Sequence, residues 1–116
     1  FPLNQEYKTY YHVGLVMASN CAVGLIDTAT KCLEKASVPA DEALDIAVTL
    51  MQQSLENIKR LGSTKSALTG PIARGDVDVV KHHLSQLKEP DKSFYRALAQ
   101  QLARLAKNTD ICRELL

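Results

Sequence analysis

From Thr9 to Ile26 the chain carries no formal charge, and this constrains its fold more than any other feature. Around that run, Tyr7, Tyr11, Gly14, Ala18, Cys21, Leu25, Ala29, Cys32 and Ala36 recur at three- and four-residue spacing, which predicts one long helix over Gln5–Ala36. A second row, Val13, Val16, Val23 and Ile26, widens the apolar stripe. A helix apolar on several sides must be enclosed, either by neighbouring helices or by a second subunit. Gly14, Ala18, Ala22 and Gly24 leave room for another helix to approach closely. The expectation is therefore a buried central helix rather than a membrane span, because His12, Ser19, Asn20 and two glycines interrupt the apolar run.

The remaining pattern is also helical. Val38-Pro39 opens a second helix with Asp41 and Glu42 near its positive end. Its expected buried face is Leu44, Ala47, Val48, Met51, Leu55 and Ile58, and Gly62 is its stop signal. An irregular segment follows, with one short turn near Lys65–Leu68. Asp76 then caps a helix striped by Val77, Val80, Leu84 and Leu87, and Glu89-Pro90-Asp91 breaks it. In the last long helix Tyr95, Leu98, Leu102 and Leu105 point inward, with Lys92, Arg96, Gln100 and Arg104 largely outward. The tail from Asn108 is ambiguous. No strand-period run occurs, so the chain is expected to be an all-α helical bundle and, at 116 residues, a single domain.

Composition narrows the function. Fourteen basic and thirteen acidic residues are interspersed and net to +1, which speaks against a nucleic-acid surface. Trp is absent and aromatics are few, so there is no base-stacking platform. The three cysteines form no CxxC pair; Cys21 and Cys32, about 16 Å apart along one helix, cannot bridge. Reduced, mostly buried thiols and a cytoplasmic location are expected. Neither the histidines nor the cysteines show metal-binding spacing, and no metal is expected.

Candidate chemistry lies in two places. The loop Ala67-Leu68-Thr69-Gly70-Pro71-Ile72-Ala73-Arg74-Gly75-Asp76 has two glycines and a proline around an obligate cation. The Arg74 guanidinium suits a carboxylate or phosphate, unless it simply pairs with Asp76 or Asp78. On the first helix, His12 and Ser19 share a face and Asn20 lies about 80° around. These polar groups either find partners in neighbouring helices or line a small polar pocket with Thr69 and Arg74. In such a pocket His12 is suited to proton transfer near neutral pH, and Asn57 is a further member.

Tyr11-His12, Ala18-Ser19-Asn20, Leu55-Glu56-Asn57, the 67–76 loop and His83-Leu84 together resemble a helical C-terminal domain of unknown function. That domain follows a Rossmann-like NAD(P)-binding domain in bacterial oxidoreductases. More distantly the chain is similar to the C-terminal domains of 6-phosphogluconate dehydrogenase-like enzymes and pyrroline-5-carboxylate reductase. The resemblance implies a 6-phosphogluconate dehydrogenase C-terminal-domain-like fold, a homodimer, and a cleft shared with the cofactor domain. It implies that His12, Ser19, Asn20, Thr69 and Arg74 lie toward that cleft; the expectation is then that His12 and Asn20 are catalytic, and that Ser19, Asn57, Thr69 and Arg74 contact a small anionic substrate. NAD or NADP belongs to the full-length parent, since no GxGxxG fingerprint occurs here, and the isolated domain is expected to be inactive. The chain begins Phe1-Pro2 without Met, which suggests a piece excised from such a parent. The dehydrogenases pair a catalytic lysine with an asparagine four residues later; here the position four before Asn20 is Val16. The alternatives are a stand-alone helical interaction module and a nucleotide sensor without catalysis.

Overall fold

The structure is a computed structural model that describes residues 4–115. It is all-α, with no strand among the described residues. After a 3-10 turn at Gln5–Tyr7 come α1 (Lys8–Ala18), α2 (Asn20–Lys35), α3 (Ala40–Leu61), α4 (Thr64–Ala67), α5 (Val77–Gln86), α6 (Asp91–Ala106) and α7 (Thr109–Glu114). The chain divides into two compact units, Phe1–Gln52 and Gln53–Leu116.

In the first unit, the expected single helix is two. The Ser19 hydroxyl donates to the Leu15 carbonyl at 2.6 Å, competing with the backbone ladder at the α1–α2 junction. Backbone bonds from Ser19 N to Leu15 O and from Val23 N to Ser19 O carry the helical path through the break. The second correction concerns burial: no residue of α1 or α2 is buried. Tyr10 is 79% exposed, Met17 66% and Val23 72%, so the apolar rod is an uncovered face and not a core helix. Cys21 and Cys32 are correspondingly exposed rather than buried. Gln5–Lys35 also contains an 18-residue window with a mean hydropathy of 1.4, which by length and composition alone meets the requirements of a membrane-crossing helix, polar interruptions notwithstanding.

α3 begins where Val38-Pro39 directs, with the Pro39 carbonyl accepting from Ala43 N at 2.8 Å. Its deepest positions are Ala43 and Ala47, while Leu44 and Leu55, expected inside, are half exposed. Only its small residues lie deep, so the longer side chains of the same face remain in contact with solvent. Gly62, at φ +68°, ends the helix as read from the sequence.

The second unit holds the largest fully buried side chains, Ile111, Leu115 and Val80. Ile72, Val80, Leu84, Ala99, Ala103, Ile111 and Leu115 form one core, with Val77, Tyr95, Leu102 and Cys112 packed against it. α5 starts as expected, the Asp76 carboxylate accepting from Val79 N at 3.3 Å. On α6 the innermost positions are Ala99 and Ala103, and Leu98 is partly exposed. Gln100, read as outward, turns toward the tail because α7 folds back: its Nε2 donates to the Leu115 carbonyl at 2.7 Å. α7 is capped by Asn108, whose Oδ1 accepts from Ile111 N at 3.1 Å. An ion pair from Lys81 to Glu114 (2.6 Å) ties it to α5 and holds the Lys81 ammonium above its ordinary pKa, chiefly through that hydrogen bond.

Candidate functional site

The arginine loop is built from its own backbone. Gly70 and Gly75 take φ of +95° and +74°, a region that side chains with a Cβ seldom enter. Between them Arg74 N donates to Gly70 O (3.2 Å), Gly75 N to Ile72 O (3.1 Å) and Asp76 N to Pro71 O (2.8 Å). Ile72, 5% exposed, anchors this short coil in the core of the second unit. Thr69 and Arg74 stand exposed on the outer side. Asp76 is engaged as the α5 cap, and among the described residues nothing pairs with the Arg74 guanidinium. A fixed backbone thus presents the five donors of an exposed guanidinium, a fork that suits a planar anion.

Asn57, on α3, belongs to the same unit and faces its own helix: its Oδ1 accepts from Arg60 Nη2 at 3.4 Å. His12, Ser19 and Asn20 belong to the first unit and are exposed rather than buried. Ser19 and Asn20 come together at the break between α1 and α2, their side-chain oxygens 3.3 Å apart. That break places two polar side chains together one turn of helix beyond Leu15.

Two features had little signal in the sequence. An open, almost wholly apolar groove of about 400 Å³ in the first unit is lined by Leu25, Ile26, Ala29, Cys32 and Leu33 of α2 and by Ala47, Leu50 and Met51 of α3. Several of these belong to the apolar stripes read from the sequence, but spacing alone does not reveal that the space between the two helices stays open. In the second unit His83 Nδ1 and the Tyr95 hydroxyl are 2.8 Å apart, with the rings edge to face. Burial raises the Tyr95 pKa. The pair was recoverable in principle, since both residues lie six positions from Glu89 at the α5–α6 turn.

An all-α domain with an uncovered apolar rod and an arginine held out on a hydrogen-bonded loop is the class of protein defined here. Residues 1–102 match DUF2520, a domain of unknown function, and the chain belongs to that family. No curated protein matches the chain, and no solved structure does.

Proposed function

We propose that this domain is the substrate-side and dimerisation domain of an NAD(P)-dependent oxidoreductase, working beside a Rossmann domain of the same polypeptide. The observation that carries the reading is the unpaired Arg74 on a backbone fixed by internal hydrogen bonds and anchored through Ile72. Arg74 holds the anionic group of a small substrate, with Thr69 beside it on the loop. His12 exchanges a proton or polarises the reacting oxygen, assisted by Ser19 and Asn20. Asn57 is a further substrate contact on this reading. The nicotinamide cofactor supplies the hydride when bound; its pocket belongs to the Rossmann domain, and no residue of this chain is assigned to it. The apolar rod supports the second half of the proposal, because a face of this kind stays soluble only when another surface covers it.

The test is a screen of the full-length protein against small oxo and hydroxy acids with both nicotinamides. Arg74→Ala is expected to raise KM by roughly 10–100-fold, the cost of losing a charge-assisted contact. His12→Gln is expected to lower kcat by about a hundredfold or more. Unchanged kinetics in Arg74→Ala would remove the arginine from the site. Cofactor binding without any turnover would favour the nucleotide sensor. Absence of both would favour the interaction module, whose surface would then be the rod.

A further inference from the structure

The arginine loop rests on the C-terminal segment, and that contact has the form of a clasp. α7 lies beyond the stretch that matches the family, yet Ile111 and Leu115 are each 1% exposed and share a core with Ile72 of the loop. A second approach is at Gly75, the residue after Arg74. A Cβ built there would lie 3.0 Å from Asn108 Nδ2, tight enough that one partner must give way. The other end of the same carboxamide, Oδ1, caps α7 through Ile111 N. One side chain therefore starts α7 and abuts the loop. Two further ties hold α7 down, Gln100 to the Leu115 carbonyl and Lys81 to Glu114.

We infer that α7 and its cap Asn108 form a clasp that sets the position of Arg74, and that opening the clasp frees the loop without unfolding α5. Asn108 is a positioning residue: it acts through Gly75 on the guanidinium next to it. The functional weight of the clasp rests on Arg74 being an anion contact, as proposed above. Its mechanical role does not, and the experiment addresses that role alone.

Limited trypsin digestion of the chain, read by mass spectrometry, compares cleavage after Arg74 with cleavage after Lys81 in α5. Asn108→Ala is expected to speed cleavage after Arg74 about fivefold, in line with the loss of a helix cap, with cleavage after Lys81 unchanged. Asn108→Ser keeps an oxygen for the cap and withdraws the amide from Gly75, and is expected to fall between Asn108→Ala and the unaltered chain. Hydrogen exchange of the Arg74, Gly75 and Asp76 amides should rise in the same order while Val80 and Leu84 stay protected. An unchanged rate after Arg74 in Asn108→Ala would overturn the inference. So would equal acceleration after Arg74 and Lys81, which would mean that the whole unit opens together. Neither result depends on nicotinamide or substrate, so the clasp and the oxidoreductase reading can fail separately.

Discussion

Asp76 closes the arginine loop through its backbone N–H, which donates to the Pro71 carbonyl, and begins α5 through its carboxylate. Its Oδ1 accepts from Val79 N, which starts α5. Asp76→Ala should therefore destabilise the second unit by about 1 kcal/mol, read as a lower urea midpoint by circular dichroism. Tyr95 offers a pH test at the same scale. Burial raises its folded pKa, whereas the unfolded phenol ionises near the ordinary value of about 10. Between those values the unfolded state holds fewer protons, so stability falls as pH rises above about 10. Lys81, also raised, adds a loss of the same sign as it deprotonates. Tyr95→Phe should flatten the first part of this alkaline decline in thermal melts, and an unaltered decline would mean that the phenol is not the group responsible. The Asp76 cap was readable because capping is local: an acid three residues before a free amide suffices. The exposure of His12, Ser19 and Asn20 was not, because spacing along a helix reports which residues share a face and not what covers it.

The helices divide by how much of their environment the sequence itself contains. The α5 stripe Val80 and Leu84 is buried, with Val77 and Leu87 half-buried, as its spacing predicts, because its covering partners α6 and α7 lie in the same unit. The α7 helix escaped the reading since six residues with only Ile111, Cys112 and the following Leu115 on the apolar side make too short a pattern. Its weight is nonetheless large. Ile111→Ala should cost about 2–4 kcal/mol, the usual loss for an emptied, fully buried aliphatic site, measured by urea unfolding. A loss below about 1 kcal/mol would mean that α7 is not packed as described. At the other end of the chain, the rod is helical and apolar as its spacing predicts, but it is two helices rather than one and its own chain does not bury it. A serine within an apolar helix does not show at the sequence level that its hydroxyl will return to the carbonyl four residues back, at the junction where α1 gives way to α2.

For the molecule as a whole, the first unit poses a physical problem that the chain by itself leaves open. Tyr10, Val13, Met17 and Val23 are all between 46% and 79% exposed on an uncharged rod. Apolar surface in such quantity is costly in water, at roughly 25 cal/mol for each Å² left uncovered. A second copy of the chain is the cover proposed above for that surface. The alternative cover is a lipid bilayer, which the length and hydropathy of Gln5–Lys35 also permit. Sedimentation equilibrium of the purified chain without detergent or lipid decides between them most directly. A particle of twice the 12.8 kDa chain mass is predicted, with Met17→Glu and Val23→Glu reducing it to the chain mass while far-ultraviolet helicity persists. A 12.8 kDa species at about 100 μM in the unaltered, fully helical chain, well above the dissociation constant of a stable dimer, would contradict the account.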